Sequence, residues 1–127
     1  MQDIAIEASE QCERLTIPEI FDLKKIKDVI ESWDKKRTIL YGDETIRKQD
    51  EIKFDFQILH SKSLGAILIG PEGGFSNDEI QYLRKKPFIK PIDLGPRILK
   101  SDTAVITSLV LWHCLNGNMK KYTQFNN

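Results

Sequence analysis

The chain has 127 residues, 40% apolar and 30% charged, the scale of one ordinary globular domain with a single core; a disordered chain and two substantial domains are both excluded. Its 19 basic and 19 acidic side chains cancel, so bulk electrostatics supplies no grip on nucleic acid, and an RNA partner would have to be held by local patches or another domain. The strongest apolar run, 104–111, is broken by Thr107 and Ser108 and is too short for a bilayer, and the start Met1-Gln2-Asp3-Ile4 has no signal-peptide character, so no membrane is expected and the expected location is cytoplasmic.

In chain order, Ile4, Ala8, Cys12 and Leu15 recur at helical spacing and predict an amphipathic helix over 3–15, stopped before Pro18. Leu23, Ile26, Ile30 and Trp33 form a second stripe, a helix over 22–33 with Lys24, Lys25 and Lys27 on its wet face. A short strand follows over 37–41, ended by Gly42, then a charged stretch over 43–53 that reads as a loop or a weak helix. The run 64–69 is continuously apolar, the pattern of a strand buried on both faces in a parallel sheet.

Three glycines within 70–74 come directly after that strand, and Ser76 with Glu79 forms a capping box that opens a helix running to about Lys86, before Pro87. A strand over 88–93, a turn at Leu94-Gly95-Pro96 and a last apolar helix capped by Ser101 or Asp102 and ending near Gly117 complete the pattern. The polar segment 120–127 reads as a tail. Strand, glycine loop and helix, taken twice, is the grammar of an open α/β domain, in which loops at the carboxyl ends of strands line the ligand crevice.

The first glycine loop removes side chains where a backbone turns sharply or approaches a ligand, and Pro71 stiffens it, which suits a flat adenine or ribose held by main-chain groups. Phe75-Ser76 stands where a phosphate loop needs Lys followed by Ser or Thr, and no Gly-x-Gly-x-x-Gly is present. A tight structural turn explains the same glycines. Cys12 and Cys114 lack metal-type spacing and read as reduced core residues. His113, on the apolar helix with Val105, Leu109 and Trp112, reads as core or interface, and His60 has no evident partner.

Ile69-Gly70-Pro71-Glu72-Gly73-Gly74-Phe75-Ser76, then Glu79-Ile80, then residues 94–104 from Leu94-Gly95-Pro96-Arg97-Ile98-Leu99 through Thr103-Ala104, resemble the paired signature of the RsmE-type 16S rRNA uridine-N3 methyltransferases of the SPOUT class. Glu7-Ala8, Glu10-Gln11 and Arg14, followed by Ile17-Pro18, resemble that family's opening block, and three blocks in the right order are far more specific than one. The resemblance implies an open, mostly parallel α/β sheet with helices on both faces and a C-terminal trefoil knot, a homodimer, 16S rRNA of the small ribosomal subunit as substrate, and S-adenosylmethionine as methyl donor with no metal.

Carried over residue by residue, it implies donor contacts from Ile69, Gly70, Glu72, Gly73 and Gly74, and from Leu94, Gly95, Ile98 and Leu99. It makes Arg14, Arg97 and Glu72 the catalytic candidates, Arg14 acting across the dimer, and turns Gln11, Lys100 and Thr103 toward RNA. The plainer readings stand beside these: Arg14 as a solvated residue at a helix end, Arg97 paired with Asp93 or Asp102, Glu72 as a turn stabiliser, Asp102 as a cap.

Lys100-Ser101-Asp102 departs from the family's Arg-Thr-Glu, losing bidentate geometry and one methylene of reach. The family also begins with a small β-barrel domain and a strand–helix–strand opening, so the expected organisation is an N-terminally truncated methyltransferase domain over 1–119, without the barrel. The function this predicts is RNA methylation, with a non-catalytic remnant that keeps donor binding or dimerisation as the alternative.

Overall fold

Residues 1–43, 65–95 and 97–115 are described by the structure of the chain, a computed structural model. They fall into two compact units, Met1–Trp33 and Asp34–Asn127.

The first unit holds helices α1 (Gln2–Gln11) and α2 (Ile26–Glu31). α1 stops four residues before Leu15 because the chain turns left-handed at Glu13 (φ 53). The N–H of Glu13 bonds to the carbonyl of Glu10 and that of Arg14 to the carbonyl of Ser9, the paired bonds of a Schellman motif, with glutamate where glycine is usual. Leu15 and Ile4 are exposed, so the expected apolar stripe of 3–15 is not a buried face. α2 is half its expected length: Lys25 is still extended (φ −65, ψ 137), and Leu23, in open solvent, gives no burial to reward a longer helix. Ile30 is the buried residue of that stripe.

The second unit contains strands β1 (Thr38–Gly42), β2 (Gly65–Leu68) and β3 (Ile89–Ile92) and helices α3 (Asn77–Arg84) and α4 (Ser101–Leu115). The strands form a parallel sheet in the order β2-β1-β3, with Ile39 opposite both Ala66 and Ile89. Central β1 is the apolar heart, with Ile39, Leu40 and Tyr41 all buried. Bonds from Ile39 to Phe88 and from Asp43 to Ile92 turn alternate residues of β3 toward β1, so the missing N–H of Pro91 faces away from it, where a flanking strand tolerates proline. β2 is half-buried throughout rather than enclosed on both faces, since among the described strands it too flanks the sheet.

α3 packs on β3 and α4 on β2. The capping box of α3 forms as expected, Ser76 Oγ accepting from the Glu79 N–H and Glu79 Oε2 from the Ser76 N–H. α4 buries Ala104 and Ser108 and packs Leu111 and Trp112 on Leu40 and Ile92. The indole of Trp112 lies where a side chain at residue 65 would be, so Gly65 is required by close approach of helix to strand. Val105 and Leu109 are 39% and 45% exposed, so of the expected stripe Trp112 alone joins the core.

Cys12 and Cys114 are free thiols but exposed, contrary to their expected burial: one is the C-cap of α1, the other lies in the last turn of α4. His113 is exposed as well. His60, nearly all of the expected loop over 43–53, Pro96, the expected helix end near Gly117 and the tail lie outside the described residues.

Candidate functional site

Parallel strands end together, and here all three carboxyl ends open on one cleft of about 1000 Å³. Gly42 ends β1 in it and Asp43 follows, with Ile69 through Phe75 after β2, and Asp93, Leu94 and 97–101 after β3. Asn77, Ile80 and Ala104 complete its wall from α3 and α4.

Its first loop is set by backbone chemistry. The N–H of Gly74 bonds to the carbonyl of Pro71, and Gly73 and Gly74 have φ of 98 and 78, a conformation that L side chains resist. Space beside Gly73 is open, so its main chain can face a ligand directly. Phe75 folds back over Gly70, its ring 3.1 Å from the place a Cβ would take, and meets Tyr41 edge to face with centroids 6.1 Å apart. The second loop turns at Gly95 (φ 112), whose N–H is held by Asp93 Oδ1 at 2.9 Å. The two loops are joined directly, Ser101 Oγ donating to the carbonyl of Gly70 at 3.3 Å. Ser101 and Asp102 therefore lie within the first turn of α4 rather than at its cap, and the bond that opens that turn runs from Ala104 N–H to the carbonyl of Lys100.

At the base of the cleft is a polar cluster centred on Asp43. Asp43, whose side chain is fully buried, accepts at Oδ2 from Tyr41 (3.0 Å) and from Arg84 through Nη2 (2.6 Å) and Nε (3.1 Å). Burial pushes the Tyr41 phenol up to about 12; the Arg84 hydrogen bond opposes this and the Asp43 charge adds to it. The same bonds to Asp43 raise Arg84 above its ordinary value. The pair ties the end of β1 to α3 across 41 residues, and the Tyr41 ring carries that rigidity to Phe75 and Gly70.

Of the residues the family resemblance singles out, Ile69, Gly70, Glu72, Gly73, Gly74, Leu94, Arg97, Ile98, Leu99 and Lys100 line this cleft. Gly95 shapes its turn without lining it. Ile98 is 80% exposed, so it rims the cleft rather than flooring it. Glu72, Arg97 and Lys100 are exposed, and so is Thr103, which is not part of the lining. Arg14 and Gln11 are exposed residues of the first unit. Asp43 and Asn77 also line the cleft without having been assigned to a site, Ile80 was named only as a motif residue and Asp93 only as a partner for Arg97; an aspartate directly after an apolar strand and a glycine was the available signal for the first. Among the described residues no three His, Cys, Asp or Glu side chains are placed to hold a metal, and no helix is long and apolar enough to cross a membrane.

The model of the RNA methyltransferase domain family matches residues 1–113. The chain is 38% identical over 116 residues to the ribosomal RNA small subunit methyltransferase E of Rickettsia conorii, covering 91% of this chain and 46% of that protein. It is 41% identical over 120 residues to the protein of the same name from Buchnera aphidicola subsp. Schizaphis graminum, covering 93% and 46%. The crystal structure of the Neisseria gonorrhoeae ribosomal RNA small subunit methyltransferase E bound to S-adenosyl methionine superposes with a TM-score of 0.74 at 25% identity, covering 90% of this chain and 46% of that one. The chain thus spans just under half the length of these relatives.

Proposed function

Because the chain belongs to the RNA methyltransferase domain family, we propose that its cleft holds S-adenosylmethionine and that the chain methylates N3 of a uridine in the 16S rRNA of the small ribosomal subunit. The observation that carries this reading is the convergence of both glycine loops on one cleft, in a chain whose structural neighbour is bound to that donor. The site fits the group: open main chain at Gly73 leaves room for a ligand that a Cβ would crowd, and Leu94, Leu99 and Ile80 offer apolar contact to an adenine. The names of the matched relatives favour an enzyme over a non-catalytic remnant.

When bound, the donor supplies a sulfonium methyl that passes to N3 as the N3 proton leaves, its sulfur becoming a neutral thioether. The chain's own contribution is position and charge. Ile69, Gly70, Gly73, Gly74, Leu94, Ile98 and Leu99 fix the donor through main-chain and apolar contacts, with Gly95 setting the turn that presents Leu94, so that approach is in line. Arg97, on the cleft wall, stabilises the negative charge that develops on the uracil oxygens. Glu72, an exposed carboxylate of the first loop, accepts the N3 proton. Lys100 and Thr103 face the RNA backbone.

On the same reading the chain works in the cytoplasm as a homodimer threaded through the family's trefoil knot. Arg14 of one copy serves the cleft of the other, and Gln11 faces the RNA. The half-exposed apolar side of α4, with Val105, Ile106, Leu109 and Val110, is the surface such a pair would bury. Incubating the chain with isotopically labelled donor and unmethylated small subunits, then digesting the rRNA to nucleosides, tests the reaction: label in 3-methyluridine is expected, and label in another nucleoside or none refutes it.

A further inference from the structure

The sheet has a second edge, where the strands begin. Ile39 bonds to Phe88 and pairs with Ile89, so the connection 34–37 that leads into β1 and the connection 85–88 that leads into β3 lie side by side there. Their charged residues are Lys35, Lys36, Arg37, Lys85 and Lys86 against the single acid Asp34, in a chain whose total charge is zero. Asp34 is engaged with its own turn, Oδ1 accepting from the Lys36 N–H at 3.0 Å. Lys35, Lys36 and Lys85 are exposed, and Lys86 extends over the Tyr82 ring at 4.8 Å. Arg37 reaches the carbonyl of Gly65 at the start of β2.

A helix C-terminus favours cations, which accounts for Lys85 at the C-cap of α3 but not for Lys35 and Lys36, which precede a strand. Side chains of one sign gathered on one edge of a neutral protein make a local potential that attracts a polyanion. Resting on the function proposed above, we infer that this lysine edge is a second RNA contact, gripping phosphates of the substrate away from the reacting base. The two edges are separated by the length of strands of four or five residues, roughly 13 to 17 Å at about 3.3 Å per residue. A substrate touching both must therefore extend over several nucleotides or fold around the domain. The lysine edge thus selects structured RNA over a short uridine oligonucleotide.

The test compares the whole chain with the triple variant Lys35→Ala, Lys36→Ala, Lys85→Ala for binding of S-adenosylmethionine, of a short uridine oligonucleotide, and of small ribosomal subunits between about 50 and 200 mM salt. Each phosphate contact adds about 0.7 to 0.9 to the slope of log affinity on log salt. The variant should lose about 2 to 3 from that slope and roughly tenfold to a hundredfold in subunit affinity at low salt, with donor and oligonucleotide binding unchanged. Equal subunit affinity and slope for variant and wild type would overturn the inference. A wild-type chain that binds donor but no subunits would overturn it and leave the donor site standing; one that binds neither would remove the underlying reading as well.

Discussion

The hydroxyl of Ser101 donates to the carbonyl of Gly70 at 3.3 Å, joining the loop after β2 to the first turn of α4 across 31 residues. Gly70 and Ser101 both line the cleft, so this bond holds two of its walls together. Ser101→Ala is expected to weaken S-adenosylmethionine binding about fivefold, the effect of one neutral hydrogen bond of about 1 kcal/mol, and to leave thermal stability nearly unchanged. Calorimetric titration of the variant measures the first and a melting curve the second.

The Asp43–Arg84 pair is expected to be a principal anchor of the second unit. Arg84 keeps 30% of its side chain in solvent while Asp43 keeps none, so removing the carboxylate strands a partly hydrated guanidinium, and Asp43→Ala should cost about 2 to 4 kcal/mol in urea unfolding, somewhat less than for a fully buried pair. Asp43→Asn together with Arg84→Gln should cost less than the sum of the two single changes, because each single change leaves a lone charge and the double change leaves none. Strict additivity would mean that the pair is energetically idle.

Tyr41 makes stability fall at high pH. Its phenol ionises near 10 when unfolded and at about 12 when folded, so between these values the unfolded chain gives up its proton first and is favoured as pH rises. The tyrosine contribution is whole below pH 10 and is lost progressively toward pH 12. Phenolate absorbance should show a late-titrating phase, and Tyr41→Phe should abolish that phase while keeping the ring against Phe75.

Gly65 and Trp112 are committed to one another. A methyl at residue 65 overlaps the indole, so Gly65→Ala should destabilise the chain by about 1 to 3 kcal/mol as an overpacked contact. Adding Trp112→Leu should recover part of that loss, whereas alone it should destabilise by opening a cavity. Denaturant curves for the two single variants and the double variant decide it.

The second unit was legible because its boundaries are local. The capping box at Ser76 and Glu79 and the glycines after β2 each act within a few residues, and each has the structure its sequence predicts. What escaped is non-local. The Asp43–Arg84 pair spans 41 residues, and nothing near either residue announces the other. The reach of α2 failed for a related reason: Leu23 fits the helical stripe, but no packing partner makes that fit worth its ordering. Cys12 and Cys114 fit apolar patterns too, yet sit at helix ends that nothing in the described chain covers. The family resemblance named most of the cleft lining and missed the acid at its base.

Titration of the whole chain with S-adenosylmethionine tests the central claim most directly. Saturable one-to-one binding is predicted for the folded chain, weakened at least tenfold by Gly73→Leu, which places a side chain where the main chain should face the donor and strains a backbone at φ 98. A folded chain that binds no donor, or a Gly73→Leu variant that binds as tightly as wild type, would contradict the assignment of this cleft.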